Sequence, residues 1–294
     1  MKTIAAEVKE GRILVSDGAW GTFLHQKGLA AGECPELWNA THRADVLAIA
    51  QSYVDAGADA VETNSFGGTR IKLAAYGLDR KAAELNEAAA AISREAAGHD
   101  RHVLGSIGPT GKFLITGDVT EEELYDAFRE QAVALERGGA DAACIETMSD
   151  LGEALAAVRA VKENTRLEMI CTFTFEKTVQ GDYRTMMGVS PASMARALAD
   201  AGVAIIGSNC GNGMARMVEI VREIRSAHPT VPVLVHANAG KPVLVEGKTV
   251  FPETPETMAG FVPACVRAGA GIIGGCCGTT PMHIQAIKEA ILKL

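Results

Sequence analysis

The chain has 294 residues, and its 28 Lys and Arg against 36 Asp and Glu leave a formal net charge of −8, without the basic stripe that a nucleic-acid partner would call for. Apolar residues at 48% and charged residues at 22% are ordinary for a soluble globular protein. No uninterrupted apolar stretch could span a bilayer, and the first residues lack the apolar core of a signal peptide, so a cytoplasmic protein without a membrane partner is expected.

Short apolar runs alternate with longer helix-like segments from one end to the other. Strands are expected at 13–17, 60–63, 102–107, 142–147, 167–173, 204–210, 233–238 and 271–277. Alanine-rich segments with apolar residues at helical spacing lie between them, among them 45–56, 81–97, 121–137 and 214–226. Thr120 followed by Glu123 reads as a capping box, and Ser190-Pro191 as an N-cap with proline at the first helical position. Eight β-then-α units without a linker or composition break predict one (β/α)₈ TIM barrel over residues 1–294, rather than a doubly wound sheet. The least regular stretches, 176–188 and 239–255, follow the fifth and seventh strands, on the side where barrels build active sites.

Polar residues gather at the strand ends. They are Asp17; Glu62, Thr63 and Asn64; Ser106; Glu146 and Thr147; Thr172 and Thr174; Asn209 and Cys210; His236 and Asn238; and Cys276 and Cys277. The segment Ser106-Ile107-Gly108-Pro109-Thr110-Gly111-Lys112 has the look of a phosphate loop. It lacks the first glycine at the required spacing and a Ser or Thr after the lysine, and reads instead as the loop after strand three.

The seven cysteines form no small-domain disulfide pattern, so reduced thiols are expected and metal binding is the use to test first. Three of them, Cys210, Cys276 and Cys277, lie at the ends of two strands and could form one thiolate site with a fourth position open, as catalytic zinc requires. Small thiols also fill barrel interiors, which is the simpler reading of Cys210 alone. Neighbours on a strand point to opposite faces, so Cys276 and Cys277 reach one metal only through a tight turn, which the flanking glycines permit. Sulfur ligation favours zinc, and the want of a fourth suitably spaced cysteine disfavours an iron–sulfur cluster. Cys34, Cys144, Cys171 and Cys265 read as loop, core or helix residues without a role.

The strings Asp17-Gly18-Ala19-Trp20-Gly21-Thr22, Glu62-Thr63-Asn64-Ser65-Phe66, Asn209-Cys210-Gly211, Asn238-Ala239-Gly240 and Gly274-Gly275-Cys276-Cys277-Gly278-Thr279-Thr280-Pro281 resemble the homocysteine S-methyltransferase family, in order and over nearly the whole chain. The resemblance implies a barrel in which zinc held by Cys210, Cys276 and Cys277 binds and activates the homocysteine sulfur. Asp17 and Glu146 are candidates to hold the substrate amino group, the alternative for each being a helix N-cap or a satisfied rim carboxylate, and the resemblance implies that the turn beginning Gly18-Ala19 offers backbone amides to the substrate carboxylate. Ala19 departs from the family's Asp-Gly-Gly pattern and narrows the allowed backbone there. Asn238 is a candidate to fill the open metal position before homocysteine arrives, whereas His236 reads better as a core histidine than as a further ligand. Glu62 and Asn64 are expected to organise the rim.

A free thiol is mostly protonated at neutral pH, and zinc favours the thiolate while leaving sulfur able to attack a methyl carbon. The donor is less legible. Glu146 is followed by Thr147-Met148, not by the aromatic that encloses betaine in related enzymes. The runs Asn238-Ala239-Gly240-Lys241-Pro242 and Glu246-Gly247-Lys248-Thr249-Val250-Phe251-Pro252 are most similar to the homocysteine module of cobalamin-dependent methionine synthase. That similarity implies methylcobalamin on a separate corrinoid protein as donor. The alternatives are a sulfonium donor (S-methylmethionine or S-adenosylmethionine), another thiol acceptor, or a non-catalytic accessory module.

Overall fold

The computed structural model describes residues 2–245 and 247–294; Glu246, within one of the family-like runs, lies outside the described residues. Eight parallel strands form the barrel: β1 (Leu14–Val15), β2 (Ala60–Glu62), β3 (His102–Ile107), β4 (Ala142–Met148), β5 (Glu168–Phe173), β6 (Ile205–Asn209), β7 (Val233–Ala237) and β8 (Ile272–Gly275). Each pairs with its sequence neighbours, β8 returns to β1 through Leu14 opposite Ile272, and a bridge between Ser16 and Ala60 joins β1 to β2. The helices on the outside cover the sheet's other face, which explains why the strands read as apolar runs rather than alternating patterns. The expected caps are present: Thr120 and Ser190 each form a capping box, and Pro191 takes the first helical position.

The amino-terminal end of the barrel is plugged. Ile4 packs with Leu14, Leu104, Ile170, Ile205 and Ile272 in one buried cluster. The short helix Ile4–Lys9 that carries Ile4 is pinned by Glu168, whose carboxylate accepts from the amides of Ile4 and Ala5 at 2.7 and 3.0 Å. That carboxylate satisfies orphan donors at the helix start and favours its dipole. Only the carboxyl-terminal rim is then left for a site.

Two expectations are corrected. The stretches after β5 and β7 are not wholly irregular: each holds an antiparallel hairpin, Glu176–Lys177 with Tyr183–Arg184 and Val243–Val245 with Lys248–Val250. Several strands also stop short of their expected ends, and Cys210, Asn238, Cys276 and Cys277 lie just beyond the ladder. Those residues give up strand pairing to turn into the rim. No helix among the described residues is long and apolar enough to cross a membrane.

Candidate active site

Strand β7 holds the three thiols in place without contributing one. The Cys210 amide donates to the His236 carbonyl at 3.0 Å, the Cys276 amide donates to Ala237 at 2.7 Å, and the Cys277 carbonyl accepts from Ala239 at 3.0 Å. Cys210 adopts a left-handed backbone with φ +60°, a conformation that costs a non-glycine residue roughly 1–2 kcal/mol. Cys276 and Cys277 lie in a turn closed by the Thr279 amide and hydroxyl, both donating to the Cys276 carbonyl. Gly278, at φ +81°, completes that turn, and a Cβ there would lie 2.2 Å from Phe251. The tight turn that the double cysteine requires is therefore present.

The thiol sulfurs of Cys210, Cys276 and Cys277 all lie within 4.8 Å of one another. Cys210 to Cys277 is 3.9 Å and Cys276 to Cys277 is 4.0 Å. Four thiolates at the usual zinc–sulfur distance of about 2.3 Å would be separated by about 3.8 Å along each tetrahedral edge. The spacing fits zinc, and so does the softness of an all-sulfur donor set. Hydrogen bonds from the Cys276 and Cys277 thiols hold the Cys210 thiol down to about 3, whereas Cys276 is pushed well up and Cys277 to about 11. Asn238, only 2% exposed, hydrogen-bonds Cys210, and its Oδ1 has no partner among the described residues. A buried unpartnered oxygen beside the thiols is what a fourth ligand would present. His236 is not part of the thiol cluster; its Nδ1 lies 3.5 Å from Glu62 Oε1.

A cavity of about 270 Å³ opens over the thiols, just under the usual size of ligand pockets and suited to a small molecule. Glu62, Ser106, Glu146 and His236 line it, together with Trp20 and Phe66. Burial pushes Glu146 up to about 7, against the hydrogen bond from the Ser106 hydroxyl. Burial raises Asp17 to about 7 as well, and raises Glu62 further because Glu146 and Asp17 are near.

Asp17 and the Ala19 amide both make hydrogen bonds within the protein. Asp17 is fully buried and absent from the cavity wall; its Oδ2 accepts from Trp20 Nε1 at 2.9 Å and from the Glu62 amide at 2.8 Å. The Ala19 amide donates to Thr279 Oγ1 at 3.0 Å, so it is engaged within the protein. Gly18 lines the cavity, and a Cβ there would lie 2.7 Å from the same Thr279 oxygen, which accounts for the glycine. Asn64 holds the rim, donating to the Pro35 carbonyl and to Asn39 Oδ1. Sequence reasoning gave no part to Thr279, which ties the first loop to the cysteine turn, or to Asn209. Both sit inside the family-like motifs, but nothing in their spacing announces what they bind.

The family model for homocysteine S-methyltransferase matches residues 14–291. Methionine synthase from Mycobacterium tuberculosis (strain ATCC 25618 / H37Rv) is 36% identical over 306 residues, covering 98% of this chain and 25% of that protein. Methionine synthase from Mycobacterium leprae (strain TN) is 36% identical over 303 residues, covering 96% of this chain and 24% of that protein. The chain therefore spans about a quarter of the length of these relatives. Among solved structures, the metallated form of the homocysteine methyltransferase MmuM from Escherichia coli superposes with a TM-score of 0.79 at 25% identity, covering 97% of this chain and 98% of that one.

Proposed function

This chain belongs to the homocysteine S-methyltransferase family, and from that premise we propose that it transfers a methyl group to the sulfur of homocysteine, giving methionine. The observation that carries the reading is the thiol triad lining a small cavity that Glu62 and Glu146 also line. Cys210, Cys276 and Cys277 would hold zinc, with Asn238 beside the fourth position until substrate arrives. Zinc, when bound, supplies a Lewis acid that keeps a substrate thiol ionised yet nucleophilic at neutral pH. The polypeptide does the rest. Strand β7 fixes the thiols, and the carboxyl groups that line the cavity receive the amino end of the substrate while its sulfur meets the thiol site. The methyl group moves as a CH3+ equivalent: the substrate sulfur supplies the electron pair of the new S–C bond, the donor keeps the pair of the broken bond, and no base need act on the methyl group.

For the donor we favour a methyl-corrinoid carried by a separate protein, in line with the 36% identity to two methionine synthases. The second reading is a small sulfonium donor. The E. coli homocysteine methyltransferase, whose own chain is matched over 98% of its length, is consistent with a donor that needs no further module. Methionine formation by zinc-loaded protein with homocysteine, compared across methylcobalamin, S-methylmethionine and betaine, separates the two. Turnover with methylcobalamin alone supports the corrinoid donor; turnover with S-methylmethionine makes the chain self-sufficient. Failure with every donor, and with a methylated corrinoid protein, counts against the homocysteine assignment.

A further inference from the structure

Cys210 and its neighbour Gly211 both take left-handed backbone, at φ +60° and +70°. Such a turn persists only where the structure around it leaves no alternative. The helix that follows, Met214–Ala227, begins at Gly213, which has no side chain to cap it. Its cap comes from the segment after β7. The Met214 amide donates to Glu253 Oε2 at 3.5 Å, and a Cβ on Gly213 would lie 2.2 Å from Glu253 Oε1. A carboxylate there satisfies an orphan amide and suits the positive end of the helix. The backbone of Glu253 reaches the other two cysteines. Its amide donates to the Ala239 carbonyl at 2.9 Å, and the Ala239 amide donates in turn to the Cys277 carbonyl. Its own carbonyl accepts from His283 Nε2 at 3.0 Å, while His283 Nδ1 accepts from the Thr280 amide at 3.1 Å, just past the cysteine turn. Two residues earlier, Phe251 lies against Gly278 in that turn. Glu253 is not among the residues that line the cavity, so what it touches is the thiol turns and not the substrate.

Groups that orient metal ligands without touching the metal set its affinity along with the ligands themselves. From this geometry we infer that Glu253 is a positioning residue for the thiol triad. Its carboxylate holds the Cys210 turn, and its amide and carbonyl hold the turn of Cys276 and Cys277. The thiols are then gathered before a metal arrives, which spares the cost of ordering them on binding. The assignment rests on the reading of the three cysteines as zinc ligands. It gives the run that ends Phe251-Pro252 a part in metal binding, whichever donor serves.

The test measures zinc affinity by competition with a chromophoric chelator, and the visible spectrum of cobalt(II)-loaded protein, both without homocysteine. Glu253→Ala should weaken zinc binding by roughly 10- to 100-fold and alter the thiolate-to-cobalt bands, because the Cys210 turn loses its anchor. Glu253→Gln keeps an oxygen for the Met214 amide and should recover most of that loss. Glu253→Asp draws the carboxylate back, should fall between, and decides the matter if the alanine variant does not fold. A helix cap with no bearing on the thiols would lower the melting temperature of metal-free protein and leave affinity and spectrum at their wild-type values. That result overturns the assignment alone, as does a glutamine variant that binds zinc no more tightly than the alanine one. Wild-type protein that binds no zinc and shows no thiolate-to-cobalt bands overturns the zinc reading and the assignment with it.

Discussion

Asn209 Nδ2 donates to Glu146 Oε2 at 3.2 Å, so the residue immediately before one cysteine of the triad also orients the acidic wall. The same side chain holds more. Its Oδ1 accepts from the Thr147 amide and the Thr172 hydroxyl, each at 2.8 Å, and its Nδ2 also donates to Thr147 Oγ1 at 2.7 Å. Thr147 sits at φ +61°, an unusual backbone for a β-branched residue, and Asn209 is what holds it there.

Asn209→Ala should therefore damage two functions at once. It strands buried groups on strands β4 and β5, for a loss of roughly 2–4 kcal/mol of stability. The apparent KM for homocysteine should rise by about tenfold or more, because Glu146 loses its orientation, while zinc content stays near one per chain. Thermal melting, steady-state kinetics and metal analysis check the three parts. Unchanged KM would remove Asn209 from the substrate site.

The carboxyl groups give the chain a particular pH dependence. Glu146 is raised from 4.5 to about 7 in the fold by burial, so between those values the folded chain holds a proton that the unfolded chain has released. Its contribution to stability is full below about 4.5 and is lost as pH rises through about 7. Melting temperatures of chelated, ligand-free protein across this window should fall more steeply for the wild type than for Glu146→Gln. Parallel curves would contradict the burial-driven shift.

Gly278 tests the turn independently of the ligands. Its φ of +81° is strained for any L side chain, and an added Cβ would lie 2.2 Å from Phe251. Gly278→Ala should weaken zinc binding by at least about tenfold and cost roughly 1–3 kcal/mol, although every thiol remains. Competition with a chromophoric chelator measures the first, and chemical denaturation the second. Wild-type zinc affinity would mean that the turn adapts without moving the thiols.

The barrel was legible because parallel strands buried on both faces read as apolar runs at regular spacing, and the expected third strand, 102–107, matches the observed His102–Ile107. Strand ends were overrun wherever a polar residue leaves the ladder to serve the rim: Cys277 looks like more strand until its turn is seen. The hairpin at Val243–Val245 and Lys248–Val250 escaped notice because short projecting strands lack the apolar alternation of half-buried ones. Which thiols meet was readable from motif and spacing. Which oxygen of which carboxylate is committed was not, since Asp17 accepts from residues 3 and 45 positions away, and only the folded chain sets those distances.

Cys276→Ser should leave less than about one tenth of the zinc bound at limiting metal and nearly abolish methyl transfer, since two thiolates and a hydroxyl make a poor soft-metal site. Added zinc should restore little activity. Normal zinc content with normal turnover would remove Cys276 from the ligand set.

The central claim is that three protein thiols hold zinc and leave one position for the substrate sulfur. Zinc-edge X-ray absorption of the loaded protein, with and without homocysteine, tests it most directly. The predicted result is three sulfur neighbours and one lighter ligand before homocysteine, and four sulfurs after it. A sulfur count that does not change on adding saturating homocysteine would contradict it.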